Sequence, residues 1–254
     1  MRRLKQIMDA GNTVTGGWCF IADPVYLGMV ANLGFDAVVL DMQHGFFDEN
    51  TVRAGVATLV SAGKIPLVRI PLGRWDAAAR AMDFGALGVI APMINSAMDA
   101  KSFASAIRYV PTGERSYGPA YAAGLYKVSV NDYLESIDTC SVALVQIETR
   151  EAYNNLDEIL ELDGVDGVLV GPSDLSVSLR QDRIPDPYGV DSIDIVTDIL
   201  LRCANFGKKA AVYTEDSKTA NTLNKLGADI ITVGNDYSYI ANGVASHLSG
   251  LDFN

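Results

Sequence analysis

The sequence predicts a closed (β/α)8 barrel of the TIM type, with a doubly wound parallel sheet as the alternative. Three observations carry this expectation. The chain has 254 residues, close to the roughly 250 typical of one such barrel. A glycine-to-strand return recurs four times, and eight short apolar runs alternate with stretches of helical period. No composition break, linker or low-complexity tract divides the chain, so 1–254 reads as a single barrel domain.

The return appears as Gly34-Phe35-Asp36-Ala37-Val38-Val39, Gly85-Ala86-Leu87-Gly88-Val89-Ile90, Gly164-Val165-Asp166-Gly167-Val168-Leu169 and Gly227-Ala228-Asp229-Ile230-Ile231. A glycine just past a helix tolerates the left-handed conformation that closes it. Between these returns lie Gly17-Trp18-Cys19-Phe20, Ile65-Pro66-Leu67-Val68, Ala143-Leu144-Val145-Gln146-Ile147 and Lys209-Ala210-Ala211-Val212-Tyr213. Interleaving the two sets gives the eight strands. None alternates between polar and apolar residues, as expected of parallel strands covered on both faces.

The connectors read as helices. After the candidate cap Asn50, Val52, Val56, Leu59 and Val60 form an i, i+4, i+7, i+8 stripe with Gly63 beyond it. Ala220, Leu223 and Leu226 do the same before Gly227. The longest connection, Pro111 to Ile137, holds Pro, Gly and four tyrosines and is expected to cover the barrel mouth.

Composition narrows the class of partner. Apolar residues make up 49% of the chain, yet no run approaches the roughly 20 residues that cross a bilayer. A net charge of −11, without a basic aromatic-laced patch, disfavours nucleic acid. Met1-Arg2-Arg3-Leu4-Lys5 is basic but leads into Asp9, Gly11 and Asn12 rather than an export signal. Cys19, Cys140 and Cys203 are too few and too scattered for a disulfide frame, which points to reduced thiols and the cytoplasm.

In such a barrel, residues just past each strand converge on one mouth. That rule collects Trp18, Asp41 with His44, Arg69, Pro92, Glu148, Ser173 with Asp174, Tyr213 and Gly234. Asp41 and His44 close an apolar strand three residues apart, and an acid that orients an imidazole is a minimal proton-transfer unit. Glu148 and Asp174 come from neighbouring strands. Two carboxylates with positions left for substrate oxygens and water suit Mg²⁺ or Mn²⁺ better than zinc.

Each residue also has a plain structural reading. Glu148 can pair with Arg150, Asp174 can cap a helix starting near Leu175, and Asp41 with His44 can lock a loop. Arg69, flanked by apolar residues, is equally a buried ion pair or an oxyanion site. Asp83 reads as a helix-surface acid and His247 as a surface residue, while Asp36, Asp166 and Asp229 fall at the opposite end of the barrel. Gly171-Pro172-Ser173-Asp174 opening a helix also offers backbone N–H groups to an anion.

Two absences restrict the reaction. No lysine falls where an imine-forming aldolase needs one, since Lys64 and Lys209 start strands. The last two loops, Tyr213-Thr214-Glu215-Asp216 and Gly234-Asn235-Asp236, lack the glycine-rich grip of phosphate-binding barrels.

Taken together, these residues resemble the HpcH/HpaI family of metal-dependent class II pyruvate aldolases. The likeness runs through Gly17-Trp18, Asp41-Met42-Gln43-His44-Gly45, Val68-Arg69-Ile70-Pro71, Pro92-Met93, Pro111-Thr112-Gly113-Glu114-Arg115-Ser116-Tyr117-Gly118, Val145-Gln146-Ile147-Glu148-Thr149-Arg150 and Gly171-Pro172-Ser173-Asp174-Leu175-Ser176. It implies a barrel of the phosphoenolpyruvate/pyruvate type and an aldehyde-lyase that splits a 4-hydroxy-2-keto acid into pyruvate, or a related 2-keto acid, and an aldehyde through an enolate. It further implies Glu148 and Asp174 as metal ligands, His44 as base with Asp41 as its orienting acid, and Arg69 on the keto oxygen. Ser173 and Asp174 match the carboxylate site, Trp18 and Gln146 the pocket lining, and Asp83 a catalytic acid near a subunit interface.

The implied cofactor is Mg²⁺ or Mn²⁺, with Co²⁺ as a third candidate and no organic group. The implied assembly is a homohexamer of paired trimers. Gln43 and Gly45 depart from the family's usual residues beside the histidine, so the aldehyde is not carried over. Acceptor choice is expected to depend on the loop near Tyr117, Tyr121 and Tyr126. The alternatives are a citrate-lyase-like or malyl-CoA-type lyase, which the acidity of the chain disfavours, and a non-catalytic keto-acid-binding barrel.

Overall fold

The computed structural model describes residues 4–181 and 183–252; the basic Met1-Arg2-Arg3 start lies outside them. The first half runs α1 (Leu4–Asp9), β1 (Val14–Cys19), α2 (Pro24–Val30), β2 (Ala37–Asp41), α3 (Glu49–Ser61), β3 (Ile65–Arg69), α4 (Trp75–Asp83), β4 (Gly88–Ala91) and α5 (Ala97–Ile107). It continues with α6 (Ala120–Leu125), α7 (Val130–Cys140), β5 (Val142–Ile147), α8 (Arg150–Asn154), α9 (Leu156–Leu160) and β6 (Gly167–Val170). The last part is α10 (Pro172–Arg180), α11 (Val190–Asn205), β7 (Lys209–Thr214), α12 (Ser217–Lys225), β8 (Ile230–Asn235) and α13 (Asp236–Leu248).

The eight strands close into one barrel in chain order, every pair parallel. Strands β2 to β6 are buried at every residue, because side chains fill the interior on one face and helices cover the other. All eight expected strands are present.

The recurring returns build the floor of this barrel. Asp36, Leu87, Asp166 and Asp229 each donate a backbone N–H to the carbonyl of an odd-numbered strand: Thr15, Pro66, Ala143 and Ala210. Each also accepts, at its own carbonyl, the first N–H of an odd-numbered strand: Ile65, Val142, Lys209 and Val14. The three aspartates add a side-chain bond, from the N–H of Thr15 (3.2 Å), Ala143 (2.6 Å) and Ala210 (2.9 Å). At the fourth place the strand residue is Pro66, which has no N–H to satisfy, and the partner is Leu87. Four linked hubs thus close a ring beneath the strands.

Three local expectations are corrected. The cap of α3 is Asp48, not Asn50, through a reciprocal bond with Thr51 at 2.8 Å each way. Leu226 lies past the end of α12 and is 37% exposed, so the buried stripe there is Ala220 and Leu223. The connection from Pro111 to Ile137 does not cover the mouth. By Ile107, α5 has already carried the chain to the floor, and the segment stays there. Tyr126 bonds the Gly85 carbonyl at 2.7 Å and Tyr133 is buried against Met82.

The floor holds an ion-pair network in which buried Arg108 contacts Asp166, Asp138 (3.2 Å) and Ser141 (3.0 Å), while Lys5 contacts Asp166 at 2.5 Å. The two hubs therefore differ in cost. In urea unfolding, Asp229→Ala is expected to lose about 1–3 kcal/mol by orphaning one N–H. Asp166→Ala is expected to lose about 3–5 kcal/mol, because it also takes from buried Arg108 its closest carboxylate and leaves it only Asp138 and Ser141.

Candidate active site

Strand register assembles the core of the mouth. Residues Asp41 and Arg69 end β2 and β3 and lie directly beside each other in the ladder. Arg69 grips the carboxylate with both edges of its fork: Nε donates to Oδ1 at 2.9 Å and Nη2 to Oδ2. The Trp18 indole donates to Oδ2 at 3.1 Å, and the backbone N–H groups of Gln43 (2.9 Å) and His44 (3.4 Å) reach Oδ1. Arg69 also lies 4.8 Å from the Trp18 ring centroid.

This arrangement corrects the expected acid–imidazole contact. Asp41 binds the His44 loop by its backbone, not the imidazole, because the neighbouring strand presents a guanidinium that takes the carboxylate edge-on. His44 is exposed on the rim, with its side chain on the cavity wall. A Cβ at Gly45 would meet Phe20 Cα at 2.9 Å, so the loop passes β1 at a distance that only glycine permits.

Glu148 follows β5 and is 2% exposed. Its oxygens accept from the Met93 N–H at 2.6 Å and the Gln146 amide at 2.7 Å, both neutral donors. Burial, foremost, and the nearby Asp174 carboxylate push its carboxyl up to about 7, against the opposing pull of the Met93 N–H and Arg69. Met93 takes a φ of 55°, a left-handed conformation costly for a side-chain-bearing residue and stabilised here by that bond. Gly171 leaves the space beside it, since a Cβ there would meet Gln146 Nε2 at 2.7 Å and Glu148 Oε2 at 2.9 Å. Arg150 turns instead to the Leu179 carbonyl.

Asp174 is exposed in the first turn of α10. That helix starts at Pro172, three residues earlier than expected, so Asp174 is not its cap. Ser173 and Asp174 share a cavity of about 250 Å³ with Trp18, His44, Arg69 and Gln146. Among the described residues no three His, Cys, Asp or Glu side chains cluster as metal ligands. Glu148 and Asp174 feel each other electrostatically, and the Glu148 carboxyl, bonded only by neutral donors, is of the all-oxygen chemistry that fits a hard divalent ion completed by substrate and water.

Comparison with known proteins adds to this geometry. The family model described as HpcH/HpaI aldolase/citrate lyase matches residues 15–243. The chain belongs to the HpcH/HpaI family. A hydroxypyruvate/pyruvate aldolase of Roseovarius nubinhibens is 33% identical over 237 residues, covering 93% of this chain and 91% of that one. A 4-hydroxy-2-oxo-heptane-1,7-dioate aldolase of Salmonella arizonae is 31% identical over 239 residues, covering 94% and 90%. The crystal structure of an HpcH/HpaI aldolase from Desulfitobacterium hafniense superposes with a TM-score of 0.89 at 25% identity, covering all of both chains.

Within this HpcH/HpaI barrel, three expected site residues are not on the cavity wall: Asp41 and Glu148, buried at strand ends, and Asp83, which stands well apart. Asp83 ends α4 on the floor side, 2.7 Å from buried Arg115, and within the single chain it is not on the cavity wall. A helix after a strand runs back to the floor, so its last residue lies far from the mouth. Other contributors escaped sequence reasoning. Phe20, Leu169 and Pro172 line the cavity. Buried Asp236, the first residue of α13, takes the N–H groups of Phe20 and Ile21 at 2.7 Å each through Oδ2 and clamps the loop after β1. An aspartate opening a helix after a strand carries no sequence mark of that task.

The Asp41–Arg69 pair is buried on both sides. Asp41→Ala is expected to destabilise the fold by about 3–5 kcal/mol, read as a lowered denaturation midpoint, because Arg69 is left charged and unpaired.

Proposed function

We propose that the protein is a divalent-metal-dependent class II aldolase that reversibly cleaves a 4-hydroxy-2-keto acid to pyruvate, or a related 2-keto acid, and an aldehyde. The observation that carries this reading is the buried Glu148 carboxyl held near 7 between neutral donors and beside Asp174. Family membership and relatives named as aldolases support it. Glu148 and Asp174 would hold the cation, Mg²⁺ or Mn²⁺. When bound, it supplies positive charge for the negative charge that develops on the keto oxygen.

The remaining roles fall to side chains and backbone. The N–H groups at Ser173 and Asp174 open α10 toward the cavity and receive the substrate carboxylate. Arg69, its plane fixed by Asp41, faces the keto oxygen and shares the charge that builds there. In cleavage His44 accepts the C4 hydroxyl proton as the C3–C4 bond breaks, leaving the electron pair on the keto-acid fragment; protonation at C3 then completes the methyl group. Trp18 and Phe20 limit water on the β1 side. An assembly of several subunits is part of this reading, supported by the exposed stripe of Tyr237, Ile240, Val244 and Leu248 along α13, as is residence in the cytoplasm.

The direct test is exchange of pyruvate methyl protons in D2O followed by NMR. The methyl signal should decay with Mg²⁺ and persist with chelator; a folded, cation-loaded sample without exchange would overturn the reading.

The raised Glu148 carboxyl sets the pH behaviour. Because the proton competes with the cation, calorimetric cation affinity should fall toward tenfold per pH unit below about 7 and level off above it. Without cation the sign reverses for stability: the folded state binds the proton more tightly than the unfolded chain, so stability declines as pH rises from 4.5 to about 7.

A further inference from the structure

The β7–β8 side of the cavity carries a polar cluster with no part in the proton and charge transfers above. The Tyr213 hydroxyl, at the end of β7, donates to Glu215 Oε1 at 2.7 Å and accepts from Asn235 Nδ2 at 2.8 Å. Asn235 Oδ1 accepts from the Ser238 N–H at 3.1 Å, which fixes the amide so that its nitrogen faces Tyr213. The Glu215 N–H donates to the Tyr188 hydroxyl at 3.0 Å. The Tyr213 ring stands edge-on to Trp18, with centroids 5.6 Å apart. Tyr213, Glu215 and Asn235 all line the same cavity as Arg69 and Ser173.

The direction of these bonds is the informative point. The Tyr213 proton is committed to Glu215, the Glu215 N–H to Tyr188, and the Asn235 amide to Tyr213. What this wall offers at the cavity is the exposed Glu215 carboxylate, steadied by the Tyr213 hydroxyl, an acceptor bearing negative charge. Burial, with the Glu215 bond, pushes the Tyr213 phenol further up from its ordinary value, so it stays protonated and keeps its bond to Glu215.

We propose that Glu215, held in place by Tyr213 and Asn235, selects the aldehyde: it favours short neutral aldehydes carrying hydroxyl groups and rejects those that end in a carboxylate. This inference rests on the aldolase reading. The keto-acid half is anchored at α10 and Arg69, so the acceptor half extends toward the wall formed by β7, β8 and β1. A hydroxyl arriving there donates to Glu215 in a charge-assisted bond. A terminal carboxylate meets a like charge at the solvent-exposed Glu215 instead, and the nearest hydroxyl proton, that of Tyr213, is already given to Glu215.

The test compares kcat/KM for aldol addition of pyruvate to glycolaldehyde and to succinic semialdehyde, in the cation-loaded wild type, in Glu215→Gln and in Tyr213→Phe. Wild type should prefer glycolaldehyde at least tenfold. Glu215→Gln should reduce that ratio at least fivefold, chiefly by raising turnover of succinic semialdehyde, and Tyr213→Phe should shift it the same way by a smaller factor. A wild-type preference for succinic semialdehyde, or a ratio unmoved within twofold in both variants, would overturn the inference while pyruvate methyl exchange left the aldolase reading standing. A wild type that performs neither exchange nor addition overturns both.

Discussion

The mouth of this barrel depends on one buried ion pair. Asp41 and Arg69 are brought side by side by the register of β2 and β3, and the pair organises what surrounds it. The carboxylate fixes the Trp18 indole and the turn that carries His44, while the guanidinium lies across the Trp18 ring. Two charges removed from water are tolerable because every polar edge of Asp41 meets a donor. The ends of β1, β2 and β3 and the turn that carries His44 are therefore set by a contact between two adjacent strands, the most rigid location available in the fold.

A second carboxyl, Glu148, occupies the opposite electrostatic regime a short distance away. Asp41 is matched by a full positive charge, whereas Glu148 meets neutral donors and a neighbouring acid. The difference separates an acid that holds architecture from one with charge left to offer. The left-handed backbone at Met93, which supplies one of those donors, puts local strain next to the same carboxyl.

Much of the fold was legible in the chain. The four glycine-led returns and the unbroken apolar runs gave strand number and order, since both reflect local requirements: a left-handed helix end and burial on both faces. Part of the cavity wall was also legible, namely Trp18, His44, Arg69, Ser173, Asp174 and Tyr213, because strand ends converge there whatever the loops do. Contact partners were not. Whether Asp41 meets an imidazole three residues along the loop or a guanidinium from the next strand depends on register, which spacing within one segment does not encode. The placement of Pro111 to Ile137 at the floor failed for a related reason: a long tyrosine-rich connection looks the same at either end of a barrel, and the direction of α5 decides. Glu215 passed as an ordinary loop acid until Tyr213 and Asn235 were seen beside it.

The ring under the strands has a further meaning. Its four hubs sit at equivalent places in four successive pairs of strands, three of them aspartate and the fourth leucine where proline removes the need for an acceptor. The repeating module at the base of the barrel is accordingly a two-stranded quarter, and residues 66 and 87 form a matched couple within it. Any exchange at position 66 that restores an amide hydrogen creates a vacancy that an acid at position 87 is placed to fill, so the two sites are coupled in substitution although their side chains need never touch.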